Sequence, residues 1–341
     1  MRRNRWIRRG LLLLMTGLGW LGANAGEPAD VFLQACRERA AAETAMTVAG
    51  DDGILFLRPE LRHVGVGAFW GDAAVAVSRA RKEKEADPLA AILDYQAQCE
   101  ALGIRLILVP VPPKAVIHPE ALAPVPVARY DLQHQAFYAL LRERGVTVLD
   151  LTERFLQARA AGGPALYCRQ DSHWSGTGCV VAAEELAALV KAQPWYADIT
   201  RRAYTATPET LNMTGDLVRG LEPAPAAEAI ALRRITLDGE ALADDSASPV
   251  LLLGDSHTLV FHAGGDMHAT GAGLADQLAY TLGMPIDVLG VRGSGARPAR
   301  IALYKRAKAA DYIAGKKLII WCFAAREFTE ADGWGTVPIT K

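Results

Sequence analysis

The chain has 341 residues, of which 51% are hydrophobic, and its formal net charge is −1. This length allows one large α/β domain or a domain with a small annex. A nearly neutral chain has no strong electrostatic field with which to attract a polyanion, so nucleic acid is not an expected partner.

The N-terminal segment has the features of a secretory signal peptide. Arginines at positions 2, 3, 5, 8 and 9 precede an apolar run over 11–21, and Ala23-Asn24-Ala25 forms a small-x-small cleavage site. The apolar run is short for a membrane span. We therefore expect residues 1–25 to be removed and the mature chain, from Gly26, to lie in the periplasm. An uncleaved membrane anchor is the alternative.

Beyond this segment, stretches of helical periodicity alternate with short apolar runs. Predicted helices cover 29–48, 88–102, 132–144, 151–161, 178–190, 271–283 and 297–310, and predicted strands cover 54–57, 104–111, 146–149, 250–253, 286–291 and 318–323. This alternation predicts a parallel sheet with crossover helices. Residues 58–71 are predicted to form an irregular loop. The less regular stretch 193–248 is predicted to be an insertion within a single domain over 26–341. It is expected to contain a few short strands, of which 230–237 is the best candidate.

The chain contains five cysteines, so at least one remains unpaired in an oxidising compartment. A disulfide between Cys168 and Cys179 could brace the loop that they flank, and Cys36 with Cys99 is a second candidate pair. Cys322 lies in an apolar strand and is expected to be a buried thiol. The sequence does not decide the pairing, and none of the spacings resembles a zinc site.

Ser256 is the first candidate for a reactive group. It follows the apolar run 250–253 and Gly254-Asp255, at a predicted strand end. Open α/β sheets place reactive groups at this edge, and a serine on such a turn projects its hydroxyl outward. The alternative is that Asp255 or Ser256 merely caps a helix.

The segment 170–178, with sequence QDSHWSGTG, contains the residues that a nucleophilic serine needs. His173 could take the serine proton, and Asp171 could fix the tautomer of the ring and stabilise the imidazolium. An acid and a histidine two positions apart do not face each other on a helix, but in an extended turn the acid could fold back onto the ring. The alternative for His173 is a structural loop histidine.

Polar groups also follow the next two predicted strands: Arg292-Gly293-Ser294-Gly295 and then Ala324-Ala325-Arg326-Glu327. This order resembles the SGNH hydrolase superfamily, in which Gly-Asp-Ser, a glycine and an asparagine follow successive strands and the Asp–His pair comes last. Here Asp171 and His173 precede the serine, as in a circular permutation, and their spacing is shorter by one residue.

Both departures match one branch, and the chain resembles the SGNH hydrolase-like domain of the alginate O-acetylation proteins of the AlgJ/AlgX type. The resemblance runs from roughly residue 50 to 330. It rests on DDGILFLRPEL (51–61), LVPVPPKAVIHPE (108–120), QDSHW (170–174), LLGDSHT (252–258), AGLADQLAYTLGMPID (272–287) and IIWCFAAREF (319–328). It implies an SGNH-hydrolase-like, flavodoxin-like three-layer α/β fold whose parallel sheet has a circularly permuted order.

The resemblance further implies a periplasmic O-acetyltransferase that acts on an alginate-like exopolysaccharide through an acyl-serine. Ser256 would be the nucleophile, His173 the base and Asp171 its orienter. The implied partners are the polysaccharide acceptor and an acetyl donor supplied by a membrane O-acyltransferase, and no cofactor is expected. The alternatives are a carbohydrate acetylesterase with the same triad and a non-catalytic polysaccharide-binding or scaffold protein.

Further residues are candidates for binding the oxyanion or the substrate, although each could instead be a core or surface residue. Gly293 could present its amide to the oxyanion, and Arg326 occupies the strand end where the asparagine of the superfamily is absent. Arg292 and Arg326 could bind an acidic sugar, Lys114 a substrate oxygen and Trp174 a sugar face. His257, His262 and His268 follow the serine but share no helical face, so no metal site is predicted.

Overall fold

A computed structural model describes residues 27–309 and 311–340, and the predicted signal peptide, 1–25, lies outside these ranges. The helices are α1 (Glu27–Ala42), α2 (Arg58–Gly65), α3 (Ala74–Val77), α4 (Pro88–Ala101), α5 (Lys114–Ile117), α6 (Leu132–Glu143), α7 (Thr152–Ala160), α8 (Gly176–Lys191), α9 (Leu274–Leu282), α10 (Arg297–Arg306) and α11 (Glu327–Glu330). The strands are β1 (Thr47–Ala49), β2 (Leu55–Leu57), β3 (Arg105–Val111), β4 (Thr147–Val148), β5 (Thr205–Met213), β6 (Glu228–Leu237), β7 (Glu240–Ala241), β8 (Val250–Gly254), β9 (Asp287–Gly290) and β10 (Leu318–Ala324). Within the described ranges, no helix has the length and apolar character that crossing a membrane requires.

The central sheet is parallel, with the spatial order β4-β3-β10-β8-β9. If the strands are counted from β8 onward and β3 and β4 are counted last, the order becomes 2-1-3-4-5. This is the order of flavodoxin-like sheets. The permuted order predicted for the sheet is therefore confirmed, because β3 and β4, which precede the other strands of this sheet in the chain, occupy its last two positions.

The sheet is covered by helices on both faces, which explains why its strands are continuous apolar runs. Successive residues of β3 point to opposite sides: Ile107 and Val109 pack with α7, α8 and α9, whereas Leu106 and Leu108 pack with α4, α6 and α10. The side chains of Leu252 and Leu253 in β8 likewise point to opposite faces of the sheet. The result is the three-layer arrangement that was predicted.

The predicted insertion contains an antiparallel sheet, β5-β6-β7, which packs on α8 and α9. The predicted strand at 230–237 is confirmed as part of β6, which has 10 residues, but β5, with 9 residues, is longer than the short strands predicted. The sequence of β5, TATPETLNM, is mostly polar, and most of its residues are exposed or half-buried. A strand of this kind has no apolar run from which it can be recognised.

The segment after the first helix also differs from the prediction. Helix α1 ends at Ala42, and residues 47–49 form β1, which pairs with β2. Residues 58–65, predicted to be a loop, form α2, whose buried Glu60 accepts a hydrogen bond from the Ala115 amide. The glycines at 65 and 67 suggested a loop, but Gly65 instead allows close packing, since a Cβ there would lie 2.7 Å from the Arg37 side chain.

All five cysteines are free and buried, so neither candidate disulfide is formed. Cys36 and Cys99 belong to different hydrophobic clusters on separate helices. The thiol of Cys168 donates to the carbonyl of Trp174 instead of joining Cys179. Cys322 is fully buried in β10, as predicted.

Candidate functional site

Ser256 lies at the carboxyl end of β8, directly beyond Gly254 and Asp255. It begins a single 3₁₀ turn, Ser256–Thr258, and the next α-helix starts only at Leu274. On one side of β8 lies β9, and on the other lies β10. The strand order reverses here, and ligands of open α/β sheets bind at this kind of crevice.

Gly254 allows the end of β8 to pass close to β10. A Cβ at this position would lie 1.8 Å from the carbonyl oxygen of Cys322, a distance that no side chain can occupy. The requirement for glycine at this position is therefore the close approach of two backbones.

Asp255 has a structural role beside the serine. One carboxylate oxygen caps the turn by accepting from the His257 amide at 2.8 Å, and the other accepts from the Ala324 amide at 2.8 Å. Burial raises the pKa of Asp255, but His257, Arg326 and the Ala324 amide outweigh it and hold the pKa well below its usual value. The capping alternative therefore applies to Asp255, which fixes the turn against the end of β10.

The structure brings Ser256, His173 and Asp171 together in one hydrogen-bonded line. The Oγ of Ser256 lies 2.7 Å from His173 Nε2, and His173 Nδ1 lies 2.6 Å from Asp171 Oδ1. Asp171 reaches the ring because the chain turns between them, with the His173 amide donating to the same Oδ1 at 3.0 Å. This is the extended turn that the two-residue spacing requires.

The electrostatics of this line favour proton transfer to the histidine. Burial lowers the pKa of His173, but the hydrogen bond and charge of Asp171 outweigh burial, so the pKa lies above its usual value. Burial raises the pKa of Asp171, yet bonds from His173 and His268 hold it well below the usual range. The carboxylate therefore stays ionised and would stabilise an imidazolium if His173 took the serine proton.

Two residues that the sequence did not identify also hold Asp171. Its Oδ2 accepts from the Asp216 amide at 2.9 Å and from His268 Nε2 at 2.9 Å. The Asp216 carboxylate in turn accepts from the amide of Ser172 at 2.7 Å and from its hydroxyl at 2.6 Å. Asp216 lies in the insertion, so the insertion contributes directly to the order of the Asp171–His173 loop.

Lys114, predicted to contact substrate, is only 2% exposed. Its ammonium donates to the carbonyl oxygens of Leu55 at 2.6 Å, Arg169 at 3.0 Å and Asp171 at 3.2 Å. Burial lowers its pKa to about 8. Lys114 therefore anchors the loop that carries Asp171 and His173, and its buried ammonium is not accessible for the predicted contact with substrate.

Trp174, a predicted sugar-stacking residue, is fully buried. Its indole nitrogen donates to the carbonyl of His257 at 3.2 Å, and its ring packs edge-on against the imidazole of His257. Trp174 therefore links the segment 170–174 to the turn Ser256–Thr258, and its buried ring offers no face to a sugar.

The loop after β9 approaches the serine turn through a different glycine from the predicted one. Gly293 is exposed and has a positive φ of 91°, and Arg292 pairs with Asp266 at the surface. In contrast, a Cβ on Gly295 would lie 2.8 Å from the Asp255 amide nitrogen. Among the described residues, no hydrogen bond joins Gly293 or Arg292 to the triad.

Arg326 lies half-buried beyond β10, close to three buried carboxylates. Its charge lowers the pKa of Asp255, Glu60 and Glu327. Burial nevertheless raises the pKa of Glu327 to about 7. The Nη1 atom of Arg326 is buried and has no hydrogen-bond partner among the described residues, which is uncommon for a buried donor.

Within the described ranges, one group of side chains is spaced closely enough to hold a metal ion: Asp171, His173 and Asp216. Hydrogen bonds already account for these residues, because both ring nitrogens of His173 and both carboxylates are engaged. His257 and His262 contact Asp255 and Asp276 separately and do not converge with His268.

Comparisons with known proteins agree with this architecture. A family model described as the SGNH hydrolase-like domain of the acetyltransferase AlgX matches residues 48–325. A probable alginate O-acetylase AlgJ from Pseudomonas aeruginosa is 29% identical over 145 residues, which cover 42% of this chain and 33% of the relative. The corresponding protein from Pseudomonas putida is 30% identical over 184 residues, covering 50% of this chain and 47% of the relative. The matches thus span a third to a half of these curated relatives.

Solved structures show the same fold. The O-acetyltransferase domain of Pseudomonas putida AlgJ is similar with a TM-score of 0.61 and 23% identity, covering 83% of this chain and 92% of the other. Pseudomonas aeruginosa AlgX is similar with a TM-score of 0.58 and 16% identity, covering 87% of this chain and 70% of the other.

Proposed function

The chain belongs to the family of the SGNH hydrolase-like domain of the acetyltransferase AlgX, and from this membership we propose that it transfers acetyl groups to an exopolysaccharide in the periplasm. The observation that carries the proposal is the position of His173 between Ser256 Oγ and Asp171 Oδ1. A serine hydroxyl activated in this way is suited to acyl transfer.

In the first half of the proposed reaction, Ser256 Oγ attacks the carbonyl carbon of the acetyl donor while His173 Nε2 takes the hydroxyl proton. The bond to the leaving group then breaks, and His173 returns the proton to that group. The acetyl group is now an ester of Ser256, and the ring is neutral again. Asp171 remains ionised throughout and stabilises the transient imidazolium.

In the second half, a sugar hydroxyl takes the place of the leaving group. His173 removes its proton as the sugar oxygen attacks the acetyl-serine, and the same proton returns to Ser256 Oγ when the ester bond to the serine breaks. The products are an acetylated sugar and the free enzyme. No atom or electron from a cofactor is needed, so the chemistry rests on the triad and on donors to the oxyanion.

For the oxyanion we propose the backbone amide of Ser256 together with the loop of Gly295, in place of the predicted Gly293. The close approach of Gly295 to the Asp255 amide supports this choice. For an acidic acceptor we propose Arg326, because its buried Nη1 has no partner among the described residues. A uronate carboxylate is one group that could pair with this guanidinium.

We also propose the organisation of the whole chain. Residues 26–341 would form one catalytic domain in which the insertion, about 193–248, supplies Asp216 as a support for the triad. Residues 1–25 would direct export and be removed. The acetyl donor would come from a membrane O-acyltransferase, as the resemblance implies. The names of the curated relatives support alginate, or a polymer of similar acidity, as the acceptor.

The proposal is tested by supplying an activated acetyl ester together with oligosaccharides and by measuring acetylated sugar and free acetate in the same reaction. An acceptor bound in the crevice reaches the acyl-serine in an oriented pose, whereas water gains no such binding energy. We expect transfer to oligouronates to exceed the release of free acetate. Free acetate as the main product with every uronate and neutral acceptor would favour the esterase, and bound polysaccharide without either product would favour the scaffold.

A further inference from the structure

The second oxygen of Asp171 has a partner that belongs to neither the usual triad nor the sequence motifs. His268 Nε2 lies 2.9 Å from Asp171 Oδ2, on the side opposite the His173 ring. We propose that His268 is a positioning residue that donates a hydrogen bond to Asp171 and so holds the acid in register with His173 and Ser256. The inference rests on the proposed function, because it assigns His268 a role in the same reaction.

The hydrogen-bond capacity of Asp171 supports this role. Its Oδ1 accepts from the amide and from Nδ1 of His173, and its Oδ2 accepts from the Asp216 amide and from His268. An ionised carboxylate has about four acceptor sites, so every site is used. The carboxylate is fully buried. Without His268 one site would be left open, and the carboxylate would lose one of the two donors that stop Oδ2 from rotating.

The backbone at His268 indicates that a specific side chain is held there. Its φ is 71° and its ψ is −49°, and the Ala269 amide donates to the Met267 carbonyl at 2.9 Å across it. This is close to the γ-turn conformation, which is rare and strained. Strained residues of this kind concentrate at functional sites, where surrounding contacts hold them in place. Here the Phe261 amide donates to the Met267 carbonyl, and the Gly264 amide donates to the Ala269 carbonyl, both closing the loop around His268.

The loop also connects His268 to the nucleophile. The amides of Leu259 and Val260 donate to the carbonyl of Ser256, and the chain then passes directly into the closed segment 261–272. Hydrogen bonds therefore join four side chains in series: Ser256, His173, Asp171 and His268. The two ends of this series, Ser256 and His268, belong to one continuous stretch of chain that is closed by its own backbone hydrogen bonds. This arrangement fixes the separation between the serine and the acid, which is what a positioning residue requires.

The expected electrostatic consequence concerns the His173 ring. The groups that face Asp171 and His173 are Lys114, Asp216, Asp255, His257 and His268. Loss of the His268 donor leaves more of the negative charge of Asp171 to stabilise the His173 imidazolium. The pKa of His173 should therefore move to higher pH, and this readout does not depend on turnover.

Three variants test the proposal: His268→Gly, His268→Gln and the control His262→Gln. Glycine tolerates the positive φ, so His268→Gly should fold, with a lower Tm than the wild type because the buried Asp171 carboxylate loses a donor. It should lower kcat for an activated acetyl ester by about 10- to 100-fold with little change in KM. His268→Gln places an amide donor near the position of Nε2 and should restore most of the loss. His262 lies in the same loop and contacts Asp276 instead of the triad, so its variant should keep the wild-type kcat.

The pKa of His173, measured by NMR titration, tests the positioning role of His268 independently of acyl transfer. An upward shift of its pKa in His268→Gly, reversed in His268→Gln, supports the positioning role. An unchanged His173 pKa together with a wild-type kcat in His268→Gly overturns the positioning role. A loss of kcat that only accompanies unfolding, and that His268→Gln does not restore, also overturns it. If the wild type shows no acyl transfer but the His173 shift is present, the proposed function fails while the structural coupling stands.

Discussion

In the proposed reaction, the reactivity of the Ser256 hydroxyl depends on one imidazole and one carboxylate. Ser256 has an ordinary, weakly acidic hydroxyl, and the contact at 2.7 Å to His173 Nε2 provides the acceptor for its proton. The Asp171 contact to the opposite ring nitrogen keeps that acceptor in the correct tautomer.

This division of labour predicts unequal effects for the two supporting residues. His173→Ala removes the proton acceptor and should lower kcat for acyl transfer on the order of 10⁶-fold, whereas Asp171→Ala removes only the orienter and should cost on the order of 10⁴-fold. Single-turnover rates with an activated acetyl ester measure both, and circular dichroism checks that each variant is folded. Equal losses, or a larger loss for Asp171→Ala, would contradict the assigned roles.

The raised pKa of His173 predicts the pH dependence of the reaction. Only the neutral ring can accept the serine proton, so activity is present above the folded-state pKa and is lost as the pH falls through it. Because this pKa lies above the ordinary histidine value of about 6.5, the acid limb of kcat/KM should have its midpoint above that value. A midpoint at or below it would show that Asp171 does not stabilise the imidazolium.

The triad could be predicted from sequence, whereas its supports could not. Asp171 and His173 lie two residues apart, and Ser256 stands at a recognisable strand end, so local patterns were sufficient. The hydrogen bonds from Asp216 and His268 to Asp171 cross 45 and 97 positions of the chain, which no local pattern reports. The predictions for Lys114 and Trp174 placed them near the right segment but on the wrong side, because sequence does not show whether a residue at a strand end points inward or outward.

At the level of secondary-structure elements, two buried lysines hold opposite ends of the sheet. Lys114 follows β3 at the carboxyl edge and binds three carbonyl oxygens around the histidine loop. Lys316 precedes β10 at the opposite edge. It binds the carbonyl oxygens of Ser246 and Ser248, each at 2.8 Å, and pairs with the buried carboxylate of Asp287 at 2.8 Å. Both lysines are buried, but only Lys114 contacts the segment that carries Asp171 and His173.

Variants of these two lysines separate an effect on stability from an effect on activity. Lys114→Met leaves buried carbonyl oxygens without a donor and should lower the free energy of unfolding by about 1–3 kcal/mol. Lys316→Met also breaks the buried pair with Asp287 and should lower it by about 3–5 kcal/mol. Only Lys114→Met should also reduce kcat, since only Lys114 binds the Asp171 carbonyl. Urea denaturation and ester turnover below the unfolding range measure the two effects. Equal turnover in the two variants would show that Lys114 supports the fold alone.

The contact between β8 and β10 predicts a second effect on stability. Gly254→Ala would place a Cβ against the Cys322 carbonyl and should lower the free energy of unfolding by ~3 kcal/mol, at the upper end of overpacking costs. Gly163→Ala is the control, since nothing lies within 4 Å of its Cβ position. Thermal unfolding of both variants measures the difference. Similar Tm values would contradict the close approach of the two strands.

At the level of the whole molecule, the order of motifs along the chain differs from their order in space. The acid and histidine come before the serine in sequence, yet the sheet order, counted from β8, is that of a flavodoxin-like sheet. The parallel sheet and its covering helices could be predicted, because continuous apolar strands alternate with periodic helices. The extent of the sheet in the insertion could not, because the polar strand β5 gains its order mainly from pairing with β6.

The central claim is that Ser256 carries the acetyl group between donor and acceptor. It is tested most directly by mass spectrometry of the protein after rapid quenching with an activated acetyl ester, followed by chase with an oligouronate. We predict one acetyl group on the peptide that contains Ser256, its loss during the chase at the rate at which acetylated sugar forms, and no adduct in Ser256→Ala. Acetylation at another residue, or sugar acetylation by Ser256→Ala at the wild-type rate, would contradict the account.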